Sequence, residues 1–262
     1  MSPERKDVTM IILSYPMKGK LLLYALAVQL FLAVPSFAQE KVSVAVAANY
    51  IQVFKELAVI FEAKTGLKVE ATYASSGTLY SQIMNGAPYD LYLSADEDRP
   101  GRLYKEGRAE KPFVYAQGRL VLWSAGKDFC RAEDWRQSLQ RQSAGKIAIA
   151  NPLTAPYGMA AKSVLEDARL WDVLQNRLVF AQDIAQTFQY AFTGAVEAAF
   201  CSSSSVLGDG SGKGCYYVMR KAAPIIQSAC LLKGRNAKGA DRLAKFIVSP
   251  DAVPLKEKYG YK

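Results

Sequence analysis

From Gln39 onward, short apolar runs alternate with stretches whose apolar positions recur at the helical spacing. That alternation predicts βαβ units on mainly parallel sheets flanked by helices. In the first unit, the strand Val42–Asn49 runs directly into a helix opening Tyr50-Ile-Gln-Val-Phe-Lys-Glu-Leu57. In the second, a strand from Val69 reaches Ser75-Ser76-Gly77 before the helical stretch Thr78–Ile83. At each junction the first helical turn has backbone N–H groups without intrahelical acceptors, beside side chains that also donate. Such a terminus attracts an anion through free donors and the helix dipole, without formal positive charge.

A third strand follows at Asp90–Ala95, then a helix around Arg99–Glu106 that ends at Gly107. Val114–Gly118 leads into a new strand, Arg119–Ser124, and the grammar repeats. Lys146–Ala150 is a strand, Asn151-Pro-Leu-Thr-Ala-Pro-Tyr-Gly158 a turn-rich junction, and Met159–Leu165 a helix. Leu178–Phe180 is a short strand, and Asp183 is the expected N-cap of the helix opening at Ile184. The strand Glu197–Cys201 ends in four serines, Ser202 to Ser205. Past Pro224 a strand (Ile225–Leu232), a helix (Ala237–Val248) and a short last helix close the chain.

This order predicts two lobes: residues 39–117 with 225–262, and residues 118–224. The chain crosses between them twice, near 116–118 and 224–228, which makes a cleft able to hinge. The loop Gly208–Gly214 reads as a mobile connection. It is no phosphate loop, because Gly214 and Cys215 follow Lys213 where Ser or Thr and a helix are needed.

Residues 1–38 stand apart. Lys18 and Lys20 precede the apolar run Leu21–Val34, and Ser36-Phe-Ala38 places small residues at the cleavage spacing. This is the form of a secretory signal peptide cut near Ala38/Gln39, with Met17 a candidate start. A run of this length is short of the ~20 residues a membrane span needs. These residues carry four of the basic and two of the acidic residues, so the net charge falls from +9 to +7 on their removal. The remaining charge is dispersed, which argues against nucleic acid and for a solvated basic surface or an anionic ligand.

All four cysteines (Cys130, Cys201, Cys215, Cys230) lie in the exported part, where disulfides are permitted. Three full pairings are open; Cys201 and Cys215 flank the Ser/Gly-rich loop and are placed to bridge it. The chain has no histidine and no CxxC, which excludes an ordinary zinc site and a serine nucleophile with a histidine base. Neither Ser75 nor Ser76 starts a Ser-x-x-Lys motif. Asp90, Asp96 and Asp183 are scattered, and helix capping or solvation accounts for each. Catalysis has no positive support, and an exported enzyme or sensor on the same two-lobed fold is the alternative class. A binding protein needs only convergent neutral donors in a dry pocket, and four small-polar helix starts, two per lobe, supply them.

Ala47-Ala-Asn49 before a helix, Ala74-Ser-Ser-Gly-Thr-Leu79, Asn85–Asp96, Asn151–Gly158 and Lys258-Tyr-Gly-Tyr261 together resemble the periplasmic molybdate-binding proteins of ABC importers. The likeness runs in the same order over nearly the whole exported chain. It implies an α/β fold of the type II periplasmic-binding-protein kind, with molybdate or tungstate held between the lobes by hydrogen bonds alone and no cofactor. By position, the implied ligand residues are Ala48, Asn49 and Ser76, with Tyr157 and Ile184 acting through backbone N–H groups. Ser202 stands where some relatives place a tyrosine hydroxyl and offers a shorter reach. The implied partner is a membrane permease that receives the ion from a monomeric, periplasmic binding protein. Sulfate or another tetrahedral oxyanion is the alternative ligand.

Overall fold

The computed structural model describes residues 40–141, 145–208, 212–233 and 236–262. The expected signal peptide, the candidate start and the centre of the 208–214 loop lie outside these residues.

Among the described residues, ten strands form two five-stranded sheets. The first has the order β2-β1-β3-β10-β4, built from β1 (Lys41–Ala47), β2 (Lys68–Ala74), β3 (Leu91–Leu93), β4 (Phe113–Gly118) and β10 (Ile225–Leu231). The second has the order β7-β6-β8-β5-β9, from β5 (Leu120–Ser124), β6 (Ile147–Ala150), β7 (Leu178–Ala181), β8 (Ala198–Ser202) and β9 (Cys215–Val218). Each sheet with its helices makes one lobe.

The sheets are more evenly mixed than the sequence pattern suggests. β1 runs parallel to β2 and β3, and β6 runs parallel to β7 and β8. β10 is antiparallel to β3 and β4, and β5 is antiparallel to β8 and β9. The antiparallel pairs involve the strands that carry the chain between sheets, β4 into β5 and β9 back to β10. A direct strand-to-strand passage has no crossover helix to reverse its direction.

The helices follow the apolar spacing. In α1 (Ile51–Thr65), Val53, Phe54, Leu57 and Phe61 are buried, and Gly66 ends the helix at a φ of 72°. α2 (Ser76–Met84) and α3 (Asp98–Lys105) complete the N-terminal part of the first lobe. The second lobe carries α4 (Trp135–Gln140), α5 (Pro156–Asp167), α6 (Trp171–Leu174), α7 (Ile184–Phe192) and α8 (Ser203–Leu207). α9 (Ala237–Ile247) buries Ala240, Leu243, Ala244 and Ile247, and α10 (Val253–Lys258) leads to the C-terminus. Asp90 is a structural tie, neither a helix cap nor a solvated surface group. Its buried carboxylate accepts from the Ser43 N–H at 2.8 Å and the Asn236 N–H at 3.0 Å.

Cys130 and Cys215 form a disulfide with Cα atoms 6.0 Å apart, joining the 3₁₀ turn Lys127–Arg131 to β9. Of the pairings left open by the sequence, one joining Cys201 to Cys215 is therefore not made. Cys201 lies fully buried within β8, and burial pushes its thiol well above the usual range, as it pushes the Cys230 thiol up to about 12. Both behave as small core hydrophobes.

Candidate functional site

β1 does not pass straight into α1. A single 3₁₀ turn, Ala48–Tyr50, intervenes, and all three of its residues are buried. As first-turn residues, Ala48 and Asn49 have backbone N–H groups with no acceptor behind them in the turn. The Asn49 backbone carbonyl and side-chain nitrogen are both engaged. Its carbonyl accepts from the Tyr261 hydroxyl at 2.6 Å and from Ser204 Oγ at 2.7 Å. Its side-chain amide donates to Gln227 Oε1 at 2.9 Å and to the Tyr261 oxygen at 3.0 Å.

The two serines before α2 divide the work. Ser75 is the N-cap: its side chain accepts the Thr78 N–H. Ser76 is the first helical residue, and its Oγ accepts the Ala95 N–H at 2.9 Å. Its hydroxyl proton is left to donate, next to its own first-turn N–H. The Tyr92 hydroxyl donates to the Ser76 carbonyl at 2.7 Å, which fixes this residue from behind.

In the second lobe, Pro156 opens α5, where its missing N–H leaves no donor unmet, and Tyr157 follows. The helix start lies directly on the end of β6. A Cβ on Gly158 would sit 2.2 Å from the Ala150 carbonyl oxygen, so only glycine allows this approach. At α7, Asp183 caps as expected, its Oδ1 accepting from the Ala185 and Gln186 N–H groups at 2.9 Å each. The Ile184 N–H, first in the helix, remains over.

The junctions of one lobe meet those of the other. The Gly77 N–H donates to the Thr154 carbonyl at 2.8 Å, which ties the start of α2 to the turn before α5. Arg99, paired with Asp96, reaches the Leu153 carbonyl at 3.5 Å beside it. Ala47, Ala48 and Ala95 pack in one core with Ala155, Tyr157 and Ile184. A cavity of about 350 Å³ opens beside Ala48 and Asn49, walled across the cleft by Ala185, Phe188 and Ser204. A larger groove of about 660 Å³ lies on the second lobe around Trp135 and Tyr217, away from these junctions.

Ser202 is fully buried at the end of β8, and its Oγ lies 2.8 Å from Ser204 Oγ and 2.9 Å from Ser205 Oγ. It belongs to a hydroxyl chain that ends, through Ser204, on the Asn49 carbonyl. Five of the six expected residues thus present first-turn donors, and Ser202 stands behind one of them.

The sequence reading missed what supports these donors. Gln227, fully buried in β10, accepts from Asn49 and from the Tyr115 hydroxyl (2.9 Å) and donates to the Tyr157 hydroxyl (3.3 Å). The available signal was a glutamine inside the apolar run Ile225–Leu232, because a buried amide needs partners. Burial, with the neighbouring Tyr261 next, drives the Tyr157 hydroxyl well above its ordinary range. Burial likewise raises Tyr261 to about 12. These phenols are therefore neutral donors near neutral pH. Among the described residues, no group of three or more His, Cys, Asp or Glu side chains is placed to hold a metal ion.

Comparison with known proteins identifies the family. Residues 42–262 match the family described as bacterial extracellular solute-binding protein. The molybdate-binding protein ModA of Rhodobacter capsulatus is 38% identical over 240 residues, covering 90% of this chain and 94% of that protein. ModA of Azotobacter vinelandii is 39% identical over 227 residues, covering 84% and 89%. The solved structure of the Azotobacter vinelandii periplasmic molybdate-binding protein superposes with a TM-score of 0.80 at 32% identity, covering 84% of this chain and 98% of that one. The chain, with its two mixed sheets and facing helix starts, is a member of the ModA molybdate-binding protein family of bacterial extracellular solute-binding proteins.

Proposed function

We propose that the protein captures molybdate, and tungstate with it, in the cleft between its lobes and delivers it to a membrane permease. The observation that carries this reading is the meeting of helix starts across the cleft, sealed by the Gly77 to Thr154 hydrogen bond. The donors are the N–H groups of Ala48, Asn49, Ser76, Tyr157 and Ile184 and the hydroxyl of Ser76. Ser202 acts from behind, through Ser204 and the Asn49 carbonyl. A tetrahedral dianion leaving water must have its lost hydrogen bonds replaced oxygen by oxygen. Free first-turn donors aided by helix dipoles do so without a formal charge, so the site needs no lysine or arginine. The hinging units are residues 39–117 with 225–262, and residues 118–224. The protein works in the periplasm after removal of residues 1–38, and it carries molybdenum only as the oxyanion.

Thermal melting in the presence of molybdate, tungstate, sulfate and phosphate tests the ligand. The first two should raise the melting temperature in a concentration-dependent way, by mass action, and the last two should not. A shift with sulfate alone would move the assignment to another oxyanion, and no shift with any would remove it. Ser76→Ala should weaken molybdate binding by about 1–3 kcal/mol, the loss of one charge-assisted donor. The helix itself should persist, because Ser75 holds the cap. An unchanged affinity would mean that Ser76 serves only the Ala95 N–H.

A further inference from the structure

Gln227 reaches both an Asn49 and a Tyr157 polar atom, as does the Tyr261 hydroxyl. Its Oε1 takes the Asn49 amide at 2.9 Å and the Tyr115 hydroxyl at 2.9 Å. Its Nε2 gives a proton to the Tyr157 hydroxyl at 3.3 Å. Asn49 belongs to the first lobe and Tyr157 to the second. The pairing of β10 with β4 shifts register between Gln227 and Ser228, an irregularity of the kind that re-aims a side chain. Space for the contact comes from Gly118, where a Cβ would lie 2.0 Å from the Tyr157 hydroxyl and 2.7 Å from Gln227 Nε2. A polar side chain with no exposed surface, bonded through both its oxygen and its nitrogen, is costly to build and confers geometric definition rather than bulk stability.

We propose that Gln227 is a positioning residue for the oxyanion: by holding Asn49 with its carbonyl oxygen and Tyr157 with its amide, it sets the backbone N–H donors of the two lobes at the separation the ion requires. The inference rests on the oxyanion reading above. Gln227 itself touches no ligand. It acts through the orientation of Asn49, whose backbone carbonyl and side-chain amide nitrogen are tied down, and of Tyr157 at the start of α5. Tyr261 completes the tether, donating to the Asn49 carbonyl and accepting from the Asn49 amide.

The test uses Gln227→Glu, Gln227→Met and Tyr261→Phe in residues 39–262, with calorimetric titration of molybdate from about pH 5.5 to about pH 8.5 and unliganded melting curves alongside. A protonated glutamic acid reproduces the amide's pattern, its carbonyl accepting from Asn49 and Tyr115 and its O–H donating to Tyr157. The ionised form loses that donor and sets a negative charge near a dianion. The groups facing this position are the neutral phenols of Tyr115, Tyr157 and Tyr261, with the Lys256 ammonium 3.2 Å from the Tyr115 carbonyl. Burial raises a carboxyl pKa, which places its titration inside this window.

Gln227→Glu should bind nearly as wild type at the acid end and about tenfold or more weaker at the alkaline end. Gln227→Met should be weakened about tenfold throughout, and Tyr261→Phe should be weakened while keeping its ring packing. A merely structural Gln227 would lower the unliganded melting temperature and leave the affinity of the folded protein unmoved. That result, or a flat profile for Gln227→Glu, overturns the proposal while wild type still binds. If wild type takes up no molybdate, the oxyanion reading itself fails, and this inference with it.

Discussion

Gly158→Ala is expected to weaken molybdate binding at least about tenfold and to destabilise the fold by about 1–3 kcal/mol. Intrinsic propensity points the other way, because alanine in a helix is worth up to ~1 kcal/mol over glycine. Packing decides. The added Cβ would lie 2.2 Å from the Ala150 carbonyl oxygen and 2.8 Å from its carbon, both backbone atoms that no rotamer change can move aside. The first turn of α5 must lift away from β6, taking with it the Tyr157 N–H and the Thr154 carbonyl that meets Gly77. One lost or misaligned hydrogen bond to a charged ligand corresponds to roughly 1.5–3 kcal/mol, hence the fold-change. Calorimetric affinity and a urea midpoint measure the two effects. A variant that is more stable and binds equally well would show that α5 has room to shift and that its first turn does not contact the ion.

Removing the Cys130–Cys215 bridge by the double serine substitution should lower stability by about 2–5 kcal/mol. The bond spans 85 residues, so its absence frees a long loop in the unfolded chain. For a protein of this size the melting temperature should fall by roughly 5–20 °C. Molybdate affinity of the folded protein should stay unchanged, because neither the 127–131 turn nor β9 supplies one of the proposed donors. Differential scanning calorimetry with and without reductant gives the same comparison on the native chain. A shift of a degree or less would mean that the reduced chain retains structure that already restrains this loop.

The fold was largely readable in the sequence because its determinants are local. The apolar spacing of Val53, Phe54, Leu57 and Phe61 places α1 without reference to any neighbour, and Asp183 announces α7 by its own capping chemistry. Helix starts are equally local, which is why Asn49, Ser76, Tyr157 and Ile184 could be placed in first turns from the sequence. The missing parts are nonlocal. Nothing near Cys130 in the chain signals that β9 will bring Cys215 to it, 85 residues on. The balance of parallel and antiparallel pairs depends on how β4 enters β5 and how β9 returns to β10. Ser202 is offered as a ligand by its position in the resemblance, and its hydroxyl partners, Ser204 and Ser205, appear only once α8 turns back on it. Gln227 and Tyr261 reach Asn49 from 178 and 212 residues away, and only the assembled sheet shows what they hold.

In the proposed site, uncharged donors from two lobes hold one oxyanion. Calorimetric titration of residues 39–262 with molybdate, repeated from about pH 6 to about pH 9, tests it most directly. The proposed donors are backbone N–H groups and a serine hydroxyl, and burial holds the supporting phenols of Tyr157 and Tyr261 above their ordinary range. One ion per chain should bind, with an affinity that stays level across that interval. An absence of binding heat, a stoichiometry other than one, or an affinity that titrates within the interval would contradict it.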